Sequence, residues 1–298
     1  MRFGDVDWGL EWRRVQSGRL KPFDPEYWDG RASDFLLKQP TPYEQEFLQM
    51  ADLQPGEQVL DVGCGSGTFS IPLASAGHEV VAMDVSSGML DKLRTLIDRD
   101  ALSNIRIVQG GWDDDWPGLG ILPKSVDVAI ASRSLLTLDL VGAIEKLNAT
   151  ARRRVCVTLG TESFPFIDVR VVQAIGREHH VTGDYLCALN CLYQLGIKAE
   201  LRLIGQPRRD VYVSRESAWE SISHRCDGLT AKEAKRLHRF LDEHLIAWEY
   251  EQDGQTHTGV AKDYIRDMRW AFISWSTEPT EPNVRVYKAD SRCVASKH

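Results

Sequence analysis

Residues 57–91, EQVLDVGCGSGTFSIPLASAGHEVVAMDVSSGMLD, constrain this chain more than any other stretch. Val59-Leu60-Asp61-Val62 is a short apolar run carrying one acid, with the length and β-branched content of a buried parallel strand. Gly63, Gly65 and Gly67 follow at two-residue spacing, and Phe69, Ile71, Pro72, Leu73 and Ala74 then open a helix. Glycines at a strand-to-helix turn admit unusual φ values and let a ligand lie directly against the backbone. A second strand, from Glu79 to Met83, ends at Asp84, 17 residues after Gly67. An acid at that place can accept hydrogen bonds from both hydroxyls of an adenosine ribose. The stretch is a nucleoside site.

The spacing narrows the nucleoside. Dinucleotide folds use G-x-G-x-x-G, which sets a pyrophosphate on a helix N-terminus. Here the spacing is G-x-G-x-G, and the strand before it carries Asp61. A carboxylate beside the loop suits a ligand with an ammonium group and repels pyrophosphate. The stretch resembles motif I of the class I S-adenosylmethionine-dependent methyltransferases, whose usual form is VLDVGCGxG. The resemblance extends over roughly residues 40–160. It implies an α/β, Rossmann-like sheet of seven strands, mostly parallel with the last antiparallel, and helices on both faces. It also implies S-adenosyl-L-methionine as cofactor, held by Asp61, Gly63, Cys64, Gly65, Gly67, Asp84 and Val85. Met89 would lie beside the adenine ring. Gly111, Trp112 and Asp113 would supply the adenine with a loop, an apolar wall and an acid for its amino group.

Composition sets the wider bounds. A chain of 298 residues accommodates one α/β domain with a sizeable insertion, or two small domains. Hydrophobic content of 43% and charged content of 27% are those of ordinary soluble globular proteins. No apolar run approaches the roughly 18 residues of a membrane span. The first residues lack an apolar signal region, and six cysteines are scattered without CxxC pairs, so a cytoplasmic protein is expected. A net charge of −7 argues against a sequence-independent grip on nucleic-acid backbones.

The organisation expected is an N-terminal helical cover over 1–50, a Rossmann-like core over 51–213 and a helical insertion or lid over 214–262. The last core strand would span 263–276, before a polar, aperiodic tail over 277–298 with the composition of a disordered segment. Tyr27, Trp28 and Arg31 are candidate cover residues, with Arg31 suited to the methionyl carboxylate. The fourth strand, Val126 to Ala131, runs into Ser132-Arg133-Ser134, where ligands of parallel sheets sit. Arg133 there suits a substrate carboxylate or phosphate, or pairs with a nearby acid such as Asp139. The triplet Arg152-Arg153-Arg154 reads as a solvated helix end before the fifth strand. Later segments carry Tyr185, Tyr193, Trp219, Trp248, Trp270 and Trp275, which would wall an apolar pocket if they converge.

Methyl transfer from a sulfonium needs mainly proximity and alignment, worth about 7–11 kcal/mol. Oxygen and nitrogen nucleophiles often need a base as well, for which the His179-His180 pair is the candidate. Cys187 and Cys191 lack further ligands at zinc spacing, and no metal site is expected. These features together point to metal-independent methylation of a small organic substrate, by a monomer or homodimer, with Ser134, Tyr185 and Tyr27 as further substrate contacts. The alternatives are an RNA or protein methyltransferase and a non-catalytic cofactor-binding scaffold. Residues 198–239, with ten Lys or Arg against six Asp or Glu, keep the RNA reading open.

Overall fold

Near-continuous apolar runs such as Val59–Val62, Val80–Asp84 and Val126–Ser132, buried on both faces, demand helices on both sides of the sheet, and a computed structural model shows them. It describes residues 6–17, 28–29, 41–161, 168–178, 183–226, 228–252 and 255–278. Helices α1 (Trp8–Gln16) and α2 (Pro42–Ala51) precede β1 (Val59–Val62), α3 (Ser70–Ser75), β2 (Val80–Asp84), α4 (Ser87–Arg99) and β3 (Ile105–Gln109). Then come β4 (Val126–Ser132), α5 (Leu140–Thr150), β5 (Ala151–Gly160), α6 (Val169–Ile175), α7 (Asp184–Gln194) and β6 (Ala199–Arg208). The chain closes with β7 (Val211–Tyr212), α8 (Arg215–Arg225), α9 (Ala231–His244), β8 (Leu245–Gln252), β9 (Gln255–Lys262) and β10 (Arg266–Ser276).

The main sheet has the order β3-β2-β1-β4-β5-β10-β6. β1 pairs in parallel with β2 (Val59 opposite Val80) and with β4 (Val59 opposite Val128). β10 runs antiparallel to both β5 and β6, as expected for the last strand. Leu60 and Val62 enter one core with α1, α5 and α7, while Val59 enters the other with α2, α3 and α4. This alternation places Asp61 on the α3 face, where the Ser70 hydroxyl donates to its Oδ2 at 2.7 Å. Phe47 of α2 sits 4.5 Å from the Phe69 ring and 5.2 Å from Phe272, fastening α2 to the sheet. Truncating such a side chain to alanine costs about 3–5 kcal/mol.

α1 and α2 lie against opposite cores, and both reach the end of β4. Trp12 Nε1 donates to Thr137 O at 2.7 Å, and the Tyr43 hydroxyl lies 2.7 Å from Ser132 Oγ. α7 belongs to the layer packed on the first core, where Cys187 and Cys191 are buried. Burial raises the Cys191 thiol to about 12, which makes it an inert apolar filler.

Three readings of the sequence need correction. The arginine triplet is not a helix end, because β5 already begins at Ala151. Arg152 instead donates to Asp127 at 2.7 Å, Arg153 grips both oxygens of Glu57, and Arg154 reaches Ser274 Oγ at 2.8 Å. The insertion is not purely helical: β7, β9 and β8 form a separate antiparallel sheet beside α8 and α9. Val211-Tyr212, inside the expected core of 51–213, pairs with β9 in that sheet. The apolar face of α9 is covered within the chain, since Leu237, Phe240 and Leu241 pack with Val171 and Ile175 of α6 and Ile222 of α8. Among the described residues no helix is long and apolar enough to cross a membrane.

Candidate active site

The loop after β1 is shaped by its glycines. Gly63 has φ +71°, and a Cβ on it would stand 2.3 Å from the Ser134 Cβ, so only glycine lets β1 and the end of β4 approach this closely. Its N–H donates to Met83 O at 2.7 Å, and that of Cys64 to the same oxygen at 3.0 Å, tying the loop to β2. Gly65 has φ +56° and only open space where a Cβ would point, which leaves its backbone accessible to a ligand. Gly67 differs. A Cβ there would meet Leu93 Cδ1 at 2.6 Å, so this glycine serves packing of the loop on α4.

Asp84, at the tip of β2, accepts from Gly65 N at 2.8 Å through Oδ2 and from Ser86 N at 2.9 Å through Oδ1. Each oxygen keeps a further lone pair for a ligand hydroxyl. Burial pushes the Asp84 carboxyl above its usual range, opposed by the N–H groups of Ser86, Gly65 and Val85. Asp61 is more deeply placed, and burial raises it to about 7, with the Asp84 charge adding and the Ser70 hydroxyl opposing. Two carboxylates on neighbouring strands, without a basic side chain hydrogen-bonded to either among the described residues, suit a ligand that brings hydroxyls and positive charge. The donors and acceptors here therefore fit S-adenosylmethionine. Cys64 is buried and its thiol is held well above the ordinary value by burial and by both acids, which excludes it as a nucleophile at neutral pH.

The walls are built from neighbouring loops. Ser86 caps α4 by accepting from Met89 N at 3.1 Å, and the Met89 side chain is buried behind that turn. Asp29 Oδ1 accepts from Ser86 Oγ at 2.5 Å and Gly88 N at 3.0 Å, bringing one residue of the N-terminal segment to the rim beside Asp84. The Ser86 hydroxyl and Gly88 N–H hold Asp29 below its ordinary value. Trp112 is buried against Trp116 and donates from Nε1 to Ser134 O at 2.8 Å, joining the β3 and β4 loops. Gly111 is buried, and a Cβ on it would come within 2.5 Å of Val85 Cγ1. Asp113 is exposed, 3.5 Å from the Thr137 hydroxyl. Asp114 fastens this loop, its Oδ2 accepting from Gly111 N at 2.8 Å.

Beyond the loop, Ser132, Arg133 and Ser134 diverge. Ser134 turns to the glycine loop, where its hydroxyl donates to Val62 O. Ser132 joins Tyr43 and Thr158 in a buried hydroxyl network, with Tyr43 OH 2.7 Å from Thr158 Oγ1. Burial raises the Tyr43 phenol, against the influence of Arg133 and the two hydroxyls. The Arg133 guanidinium lies 4.3 Å above the Tyr43 ring and 5.5 Å from that of Trp270. Its acidic neighbour is Glu44 at 3.4 Å, not Asp139, which caps α5 instead.

The expected convergence of aromatics does not occur. Trp270 belongs to one core and Trp275 to the other, Trp219 stacks on His238 in the insertion, and Tyr193 is largely exposed. Tyr185 packs half-buried on the first core. Tyr27, Arg31, His179 and His180 lie outside the described residues. Tyr43 and Glu44 escaped the sequence reading, although Thr41-Pro42-Tyr43-Glu44 carries a capping box that fixes their helix at this edge.

Strand order and glycine loop together define a Rossmann-like methyltransferase fold, and comparison with known proteins agrees. A family described as "Methyltransferase domain" matches residues 59–155. An uncharacterized protein of Haemophilus influenzae is 36% identical over 265 residues, covering 85% of this chain and 90% of the relative. A candidate methyltransferase of Bacillus halodurans shares the fold with a TM-score of 0.50 at 15% identity, over 79% of this chain and 98% of that one. The 23S rRNA (uracil(1939)-C(5))-methyltransferase RlmD of Pectobacterium carotovorum is 28% identical over 134 residues, 43% of this chain but only 28% of that enzyme. The chain carries a class I S-adenosylmethionine-dependent methyltransferase domain over residues 59–155. Its cofactor is S-adenosyl-L-methionine, and it is an enzyme.

Proposed function

We propose that the enzyme methylates a small organic acceptor seated at the carboxyl ends of β4 and β5, without a metal ion. S-adenosylmethionine, when bound, supplies an activated methyl group on a sulfonium. Asp84 takes the ribose hydroxyls, Asp61 faces the positive charge, and the open backbone at Gly65 receives the methionyl part. Trp112 and Met89 border the adenine, with Gly111 and Val85 setting the floor between them. The observation that carries the acceptor's place is the Ser132-Arg133-Ser134 turn. Ser134 touches the glycine loop while Arg133, the residue before it, brings a guanidinium beside the Tyr43 and Trp270 rings. An aromatic-walled corner of this kind suits a small ligand better than an open nucleic-acid track.

The RlmD similarity favours a second reading, methylation of RNA, and one experiment separates them. The enzyme is incubated with labelled S-adenosylmethionine and either a cell metabolite extract or total RNA, and products are read by mass spectrometry. Label in a small molecule is expected. Label in RNA, with salt-dependent retention on it, would move the function to the second reading. Calorimetry in which NAD binds more tightly than S-adenosylhomocysteine would remove both.

A further inference from the structure

We infer that the methyl acceptor is an anion, and that Arg133 selects it by gripping a carboxylate or phosphate oxygen; this rests on the acceptor's place at the end of β4. Three observations converge on that side chain.

The first is backbone conformation. Arg133 has φ +57°, in the left-handed region that is strained for a residue with a Cβ. Such strain persists where surrounding structure enforces it, and here the Arg133 N–H donates to the buried Thr158 hydroxyl at 3.0 Å. Thr158 is in turn held by Tyr43. The turn sends the Arg133 side chain toward Tyr43 and Trp270 while Ser134 goes to the glycine loop.

The second is how the guanidinium is held. The guanidinium carbon lies 4.3 Å from the centre of the Tyr43 ring and 5.5 Å from that of Trp270, two cation–π contacts that hold it at this edge. A guanidinium has five N–H donors. Among the described residues one of them is used, Nη2 to Glu44 Oε1, at a long 3.4 Å. Glu44 is itself committed through Oε2 to Thr41 N at 2.8 Å and to the Thr41 hydroxyl, as part of the helix cap.

The third is the contrast with structural arginines of the same chain. Arg153 places two nitrogens on Glu57 at 2.5 and 2.7 Å, and Arg177 grips Glu233 at 2.7 and 3.2 Å. Those forks are saturated. The Arg133 side chain is about as exposed as theirs at 30%, and among the described residues it lacks such a two-point partner. A fixed, half-dry fork with its donors open is matched by a planar or tetrahedral oxyanion.

The test uses the full-length enzyme saturated with S-adenosylhomocysteine. Thermal melting is followed with rising acetate or inorganic phosphate, against chloride at matched ionic strength. The wild type should show saturable stabilisation by at least one oxyanion, acetate marking a carboxylate acceptor and phosphate a phosphorylated one. Arg133→Gln should require at least tenfold more of that anion, and Arg133→Lys should fall between. A wild type that responds to neither anion beyond chloride overturns the inference. So does an equal response in Arg133→Gln or, should that variant not fold, in Arg133→Lys. Failure of S-adenosylhomocysteine to bind the wild type would instead overturn the cofactor site, which calorimetry in chloride reads separately.

Discussion

Two pairs of buried aspartates among the described residues are treated in opposite ways. Where the insertion meets α6 and the end of β6, Asp168 and Asp210 enclose Lys262, whose Nζ lies 2.9 Å from one and 3.2 Å from the other. The Tyr264 hydroxyl adds a hydrogen bond to Asp168 at 2.5 Å, and Arg208 approaches Asp210 at 3.1 Å. Burial alone would raise Asp168, but Lys262 and Tyr264 outweigh it and hold this carboxyl below its ordinary value. At the glycine loop, Asp61 is buried just as deeply yet its hydrogen-bond partner is a serine hydroxyl, and it rises to about 7. The charges of the insertion cancel one another in place. Those of the loop are left for a ligand to cancel, at a cost to the stability of the free protein. Asp168 contributes stability above its unfolded value of about 4, lost as pH falls through the lower folded value. Ionising Asp61 destabilises the ligand-free fold progressively as pH rises from about 4 through 7.

Lys262→Met offers the strongest test of this contrast, because it strands two acids in the insertion without their ammonium. Urea unfolding should show a loss of about 3–5 kcal/mol. Hydrogen exchange should place that loss in α8, α9 and the small sheet. If the variant is as stable as the wild type, the insertion's charges are not balanced in the way described. Asp84→Ala should weaken S-adenosylhomocysteine binding by about 1.5–3 kcal/mol in calorimetry while leaving the urea midpoint within experimental scatter. A variant that loses stability but keeps affinity would make Asp84 a structural acid like Asp168. Asp61 gives the smallest effect. Its carboxylate must be ionised to face a cation, so S-adenosylmethionine affinity should hold above pH 7 and fall below it, by roughly tenfold between pH 8 and 6. Asp61→Asn should bind more weakly and with that pH dependence removed. An unchanged slope in the variant would assign the titration to another group.

Much of the core was legible because its signals are local. The glycine spacing, the acid ending β2 and the short apolar runs each lie within a few residues, and the strands they mark are present. Long-range partners were not legible. Nothing near Arg133 in sequence announces Glu44 or Trp270, which arrive from α2 and β10. The insertion failed for another reason. Leu245 continues the helical period of Leu237 and Leu241 yet is the first residue of β8, so periodicity carried the helix past its end. The alternation Ile246, Trp248, Tyr250 and the Asp253-Gly254 pair, a known hairpin signal, mark the strands that follow. The arginine triplet misled because exposed β5 residues pair sideways with Asp127 and Glu57, contacts that composition alone does not reveal.

The position of β10 between β5 and β6 has one more consequence. Arg208, where the chain leaves the main sheet, is the direct register partner of Arg266, where it returns. Everything from β7 to β9 therefore hangs from a neck whose two sides are already hydrogen-bonded to each other. Geometrically the excursion is an overgrown hairpin loop. A cassette mounted in this way can be lengthened, exchanged or cut back to a turn during evolution without disturbing the glycine loop at the far side of the sheet. The same neck is where chimeras with other members of the fold would be spliced.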